Sequence, residues 1–197
     1  MILAAILLAA GESSRMGTPK PLLEWGGHTL IEYQLAQLQG PPMDRVVVVL
    51  GHRADEIRPL VHKAGAQAVI NELYTEGRAS SLRVGAAALA EDTEAVLVLN
   101  VDEPRPHWVI ERLVREHRRQ GNLISVPTFQ GRRGHPPLLA GSLLAEMREV
   151  QEATQGLRGL VRRHEAEVKE VPFDSGVVLL GFNQPDEYEK ARACYFQ

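Results

Sequence analysis

Seven consecutive apolar residues, Ile2 to Leu8, run straight into Ala9-Ala10-Gly11-Glu12-Ser13-Ser14-Arg15-Met16-Gly17, with Thr18, Pro19 and Lys20 following. No other stretch restricts the fold as tightly. A run that is apolar on both faces fits a strand buried between two layers. The small residues at its end let backbone approach a ligand closely, and Gly11 is free to take φ > 0. Arg15 presents a planar fork to phosphate oxygens, Lys20 a mobile point charge, and Pro19 stiffens the chain before Lys20. Two cations behind a strand-end glycine turn suit a nucleoside triphosphate. No Lys or Arg precedes Arg15, and the apolar, small-residue stretch Met1 to Gly11 is about half the roughly 20 residues of a membrane span. It is therefore read as a core strand and not as a leader.

The remainder alternates apolar runs with amphipathic ones, the pattern of an α/β fold with a parallel sheet. Strands are expected at Arg45 to Leu50, Gln67 to Ile70, Glu94 to Asn100, Asn122 to Pro127, Val168 to Phe173 and Val177 to Leu180. Thr29 is placed to cap a helix that buries Leu30, Ile31, Leu35 and Leu38 and stops at Gly40-Pro41-Pro42. Further helices are expected at Asp55 to Ala64, Leu82 to Ala90 (capped by Ser80 or Ser81), Leu143 to Val150 and Leu157 to His164. Trp108 to Gln120 reads as a helix with Trp108, Val109, Leu113 and Val114 inward and Arg112, Arg115, Arg118 and Arg119 in solvent. Pro185, followed by Asp186 and Glu187, is good chemistry for a helix start.

The 197 residues suffice for one domain spanning 1–197 with a core that needs no staples. Cys194 is the only cysteine, so no intrachain disulfide forms, which fits a cytoplasmic location. A net charge of −3 argues against a general nucleic-acid binder, and no run is long enough to span a membrane. A polyphosphate must therefore be held by local cations and a metal.

The motif Leu8-Ala9-Ala10-Gly11-x-Ser13-x-Arg15-Met16-Gly17-x-x-Lys20 resembles the signature of MobA/MocA-type nucleotidyltransferases. It is most similar to the branch that attaches cytidylate to the molybdenum cofactor. The resemblance implies a three-layer, Rossmann-like nucleotide-diphospho-sugar transferase fold (GT-A-like), in which this loop wraps the triphosphate and base. Gly77, Ser80 and Ser81 resemble the family's second nucleotide loop, beside base and ribose. Asn100-Val101-Asp102-Glu103-Pro104 resembles its Asp-Gln-Pro segment, with Glu103 in place of Gln; the resemblance makes Asp102 a ligand of Mg²⁺. Gly131-Arg132-Arg133-Gly134-His135-Pro136 marks the cytidylyltransferase branch and implies that Arg132, Arg133, Gly134 and His135 grip the pterin phosphate. Gly156 to Leu160 resembles a further segment beside the acceptor. Gly181 to Tyr188 aligns with the family's Asp-x-Asp-Thr-Pro-Glu-Asp-Tyr, but Gly181, Asn183 and Gln184 replace its Asp, Asp and Thr. Asn183 keeps a carbonyl oxygen able to reach Mg²⁺ without adding charge.

The implied reaction is attack of an acceptor phosphate on the α-phosphate of CTP, with pyrophosphate leaving. Arg15 and Lys20 stabilise charge on the phosphates, and Ala10 favours cytidine by resemblance. Two rivals stand beside it: transfer to a sugar or polyol phosphate, and a non-catalytic nucleotide-binding protein that assists a molybdoenzyme partner.

Overall fold

A computed structural model describes residues 2–196; Met1 and Gln197, the ends of the expected 1–197 domain, lie outside the described residues. In chain order the elements are β1 (Ile2–Ala9), the short β2 (Glu24–Trp25) and β3 (His28–Thr29), α1 (Leu30–Leu38), β4 (Arg45–Leu50), α2 (Ala54–Lys63), β5 (Gln67–Ile70) and α3 (Arg78–Ala87). They continue with β6 (Thr93–Asn100), α4 (His107–Gln120), β7 (Ile124–Phe129), β8 (Arg132–Arg133), β9 (Leu138–Ala140), α5 (Leu144–Arg148), α6 (Gly156–Arg163), β10 (Val168–Pro172) and α7 (Pro185–Tyr195).

Eight of the strands form one sheet in the order β10-β7-β9-β6-β1-β4-β5, with β8 hanging from β7. β1 is central, parallel to β4 on one side and to β6 on the other. β9 enters antiparallel between β6 and β7, and parallel pairing resumes between β7 and β10. Burial on both faces explains the unbroken apolar run of β1. Leu3, Ala5 and Leu7 pack with α1, α2, α4 and α7, while Ala4 and Ile6 pack with α3, α5 and α6. The result is a mostly parallel sheet flanked by helices, of the Rossmann-like nucleotide-sugar transferase type.

α1 shows how local chemistry and packing agree. The Thr29 hydroxyl accepts from the Glu32 N–H while the Glu32 carboxylate accepts from the Thr29 N–H, a reciprocal cap worth about 1 kcal/mol. Its buried face carries Leu30, Ile31, Leu35 and Leu38 and also one polar side chain, Gln34.

Several expected elements move, each for a tertiary reason. α3 starts at Arg78, so Ser80 and Ser81 lie within its first turn and cap nothing. The Asn71 amide donates to both hydroxyls (2.8 and 2.9 Å), and the Ala79 N–H finds the Glu152 carboxylate at 2.9 Å instead of a serine. Val177 to Leu180 is not a strand: Gly176–Leu179 is a 3₁₀ turn. Its Val178 carbonyl is taken by the His135 N–H and by Arg105, which leaves no ladder to form. Trp108 does not point inward; it is 46% exposed and lies against Phe173, because the buried stripe of α4 is Val109, Ile110, Leu113, Val114 and His117. α5 is shorter than the expected helix at both ends, since a 3₁₀ turn occupies Gly141–Leu143 and Glu149 leaves the helical conformation.

Gly85 lets α3 lie flat on the sheet. A Cβ there would sit 2.6 Å from Ile6 Cγ2 and 3.0 Å from Val49 Cγ2. Gly85→Val should therefore lower the stability measured by urea denaturation by about 1–3 kcal/mol through overpacking; an unchanged midpoint would show that α3 does not press on β1 and β4.

Candidate functional site

β1 is the strand at which the winding reverses: β4 and β5 build to one side, β6 to the other. In such sheets the crevice beyond the carboxyl ends of the diverging strands receives the ligand. A cleft of about 290 Å³ opens there, between Leu8 to Arg15 and Asn100 to Asp102. Tyr74, Gly77, Arg78 and Ser81 form the facing wall, and Lys20, Pro21 and Asn183 complete the lining.

The first loop is shaped by Ser13 and not by Gly11. Ser13 has φ 55 and Gly17 φ 70, whereas Gly11 is not in the left-handed region. The Ser13 carbonyl accepts from the Met16 N–H (2.8 Å), and its hydroxyl accepts from the Lys20 N–H (2.9 Å). Ser13 thus folds the loop back and aims Lys20. Gly11 serves by openness: nothing lies within 4 Å of where its Cβ would be, so a ligand can come against the backbone.

Lys20 Nζ lies 2.5 Å from Asp102 Oδ2 and 3.0 Å from Asn183 Oδ1. Asp102 and Asn183 therefore meet on one ammonium, with the Lys20 and Asp102 side chains only 14% and 16% exposed. Asp102 does not cap α4, which starts after Pro106 with no side-chain cap. The donors at this point are a carboxylate and an amide carbonyl, both hard oxygens already holding a cation. Among the described residues no cluster of three or more His, Cys, Asp or Glu exists, so the protein offers only part of a metal's shell. Such a donor set fits a small divalent ion that keeps water and takes the rest of its ligands from phosphates.

The other expected site residues divide. Leu8, Ala9, Ala10, Gly77 and Ser81 line the cleft with the first loop, but Ser80 does not. Arg132, Arg133, Gly134 and His135 are also outside its lining. Arg133 is engaged by Glu165 and Glu170, which hold its guanidinium firmly charged, and Arg132 is exposed on the same short strand. Gly134 is small because a Cβ would sit 2.1 Å from the Val178 carbonyl oxygen. His135 Nδ1 is 3.3 Å from Glu103 Oε1, and Asn100 donates to the other Glu103 oxygen at 2.9 Å. Although the His135 ring is about half accessible, desolvation holds it below the usual histidine range, with Arg105 and Arg78 adding to the effect against Glu103 and Asp102. Arg78, Tyr74 and Asn100 line the cleft without having been singled out from the sequence; Arg78 has no carboxylate partner among the described residues.

A mostly parallel sheet with a cationic, glycine-lined cleft at its winding reversal is the architecture of a nucleotide-binding α/β protein. The chain belongs to the family described as the MobA-like NTP transferase domain, which matches residues 5–168. Over 192 residues it is 26% identical to the molybdenum cofactor cytidylyltransferase of Escherichia coli, covering 96% of this chain and 95% of that protein. It is 30% identical to the nicotine blue oxidoreductase of Paenarthrobacter nicotinovorans, covering 80% of each. The bifunctional protein GlmU of Corynebacterium aurimucosum is 33% identical over 78% of this chain, but the chain spans only 36% of that protein's length. In fold it is similar to Rv0371c of Mycobacterium tuberculosis (TM-score 0.85, 24% identity, 98% of both chains), also solved in complex with manganese (TM-score 0.81). It is likewise similar to a CMP:2-keto-3-deoxy-manno-octonic acid synthetase solved with CTP (TM-score 0.77, 16% identity, 100% and 99% of the two chains).

A charge-assisted hydrogen bond to phosphate contributes about 1.5–3 kcal/mol, so Lys20→Ala should weaken nucleoside triphosphate binding roughly 10- to 100-fold in calorimetric titration. Arg118→Ala should leave it unchanged, because Arg118 is paired with Glu94 on the outer face of α4. Equal effects from the two would place the triphosphate elsewhere.

Proposed function

We propose that this nucleotidyltransferase moves CMP from CTP to the phosphate of molybdopterin or the molybdenum cofactor, releasing pyrophosphate, in the cytoplasm. The observation that carries the reading is the convergence of Asp102 and Asn183 on Lys20 beside the open backbone of Gly11. The 26% identity to a molybdenum cofactor cytidylyltransferase along nearly the whole of both chains supports the acceptor class.

Transfer of this kind depends on positioning and charge neutralisation. Arg15, which has no carboxylate partner among the described residues and lines the cleft, takes the outer phosphates of the nucleotide. Lys20 exchanges Asp102 for a phosphate oxygen when the triphosphate enters, which frees the Asp102 and Asn183 oxygens. Those two oxygens are the residues that would hold Mg²⁺, which supplies charge neutralisation across the phosphates when bound. Ala10 and Ser81 leave room for the base, with Tyr74 on the facing wall. Arg78 meets the acceptor phosphate from that wall. The acceptor arrives as an anion, so no residue has to remove a proton from it.

A sugar or polyol phosphate is the second reading. It is supported by the placement of Arg132 and Arg133 outside the lining of the cleft.

The test is pyrophosphate release from CTP, GTP, ATP and UTP with Mg²⁺ and each acceptor class. CTP with molybdopterin or the cofactor should be fastest; release only with sugar or polyol phosphates would transfer the assignment to them. No pyrophosphate release with any of these acceptors would leave a non-catalytic nucleotide-binding accessory protein. Asp102→Asn removes the one formal protein charge at the metal position and should lower turnover by at least about a hundredfold. Asn183→Asp adds a charge there and should tighten nucleotide-dependent Mn²⁺ binding; Mn²⁺ affinities unmoved by either change would remove the metal role from both residues.

A further inference from the structure

We infer that Arg105, together with Gln34, is a positioning residue that holds the Asp102 and Asn183 segments in register; this rests on the nucleotidyl-transfer reading of the cleft. Neither side chain lines the cleft, so each acts through the backbone it holds.

Arg105 is 1% exposed and has no carboxylate within ion-pair distance among the described residues. Its guanidinium instead donates to four carbonyls: His135 and Pro104 at 2.8 Å, Leu180 at 2.8 Å and Val178 at 3.0 Å. Val178 belongs to the 3₁₀ turn and Leu180 follows it on the way to Asn183, while Pro104 belongs to the loop that carries Asp102. Gln34, 0% exposed on α1, completes the frame from below. Its amide donates to the carbonyls of Glu103 (3.1 Å), Asn100 (3.3 Å) and Val101 (3.4 Å), and its own oxygen accepts the Arg105 N–H at 3.3 Å. The Phe182 N–H donates to the Asp102 carbonyl at 3.2 Å, which joins the two segments directly.

A buried guanidinium without a carboxylate is an expensive way to fill space, and an apolar side chain of the same volume would do it at lower cost. Burial pushes the Arg105 pKa down to about 10, against the attraction of Glu103 and Asp102, so the group stays charged at neutral pH. The arginine is spent on geometry: the planar fork spreads its donors over three nitrogens and bonds four carbonyls, one more than the three donors of a lysine ammonium, all on a single atom, can serve. The oxygens of Asp102 and Asn183 are thereby fixed relative to each other before any ligand arrives.

The experiment compares Arg105→Lys and Gln34→Met with the unaltered protein by three measurements. They are nucleotide-dependent Mn²⁺ binding by electron paramagnetic resonance with a non-hydrolysable CTP analogue, the affinity for that analogue without metal, and kcat and KM for CTP. Groups that orient metal ligands typically change metal affinity 10- to 100-fold. Arg105→Lys should weaken Mn²⁺ binding by about that factor and lower kcat similarly. The metal-free affinity for the analogue should stay within about twofold, because the first loop is untouched, whereas KM for CTP with metal should rise with the loss of Mn²⁺ affinity, since the two binding events are linked. Gln34→Met should act in the same direction. Mn²⁺ binding of unaltered strength in a folded variant of either kind would overturn the inference, as would a loss of thermal stability with kcat and Mn²⁺ affinity unmoved. Should Arg105→Lys fail to fold, Gln34→Met decides the question. If the unaltered protein binds CTP and Mn²⁺ but releases no pyrophosphate, the transfer reading fails while the Mn²⁺ measurement still tests Arg105.

Discussion

Three distant parts of the chain meet at one ammonium group. Lys20 follows the first strand, Asp102 follows β6, and Asn183 precedes α7, yet Nζ of Lys20 touches the last two. The contact is intermediate between an exposed ion pair, worth at most about 1 kcal/mol, and a fully buried one, whose rupture costs about 3–5 kcal/mol. It can therefore order the cleft and still be exchanged for a phosphate. The placement of β1 next to β6 makes it geometrically possible, because the two strands end side by side, with the Val101 N–H on the Leu8 carbonyl at 3.0 Å.

Asn183 reaches that point because its neighbours are anchored on the far side as well. Phe182 stacks on Trp25 with ring centroids 5.8 Å apart, and Tyr188, Tyr195 and Phe196 of the last helix and its end pack around the same indole. Aromatic pairs of this kind add about 0.5–1.5 kcal/mol each beyond the area they bury. Trp25 Nε1 is the one buried side-chain polar atom without a partner among the described residues. The packing of the ring outweighs the roughly 1–3 kcal/mol of that unmet donor. The cluster clamps the segment from outside and Arg105 clamps it from inside.

Much of the fold was legible in the sequence because its signals are local. The valines of β4, the apolar run of β1 and the Thr29 cap each state their own conformation. The first loop was legible for the same reason, since Gly11, Arg15 and Lys20 lie within one short stretch. What stayed hidden is settled by partners far away in the chain. Ser80 and Ser81 had every mark of caps, but Asn71 and Glu152 decided where α3 begins. Val177 to Leu180 had the composition of a strand, but Arg105 consumed its carbonyls. Arg132 and Arg133 stood in a motif suited to an anion, but Glu165 and Glu170 claim Arg133 on the outer surface. One signal could have been used: Gln34 sits among Leu30, Ile31, Leu35 and Leu38 on the buried face of α1, and a polar group in such a place requires polar partners. Arg105, between two prolines and outside any periodic pattern, offered no comparable mark.

The antiparallel insertion of β9 splits the sheet into unequal blocks. β5, β4, β1 and β6 form a continuous parallel block whose strand ends carry the first loop and Asp102; β7, β8 and β10 attach beyond the insertion. Only the three residues of β9 join the blocks within the sheet. Mutational change in the outer block can accumulate without disturbing strand register in the inner one. An architecture partitioned in this way lets selection exchange one specificity while the machinery for the other is inherited intact.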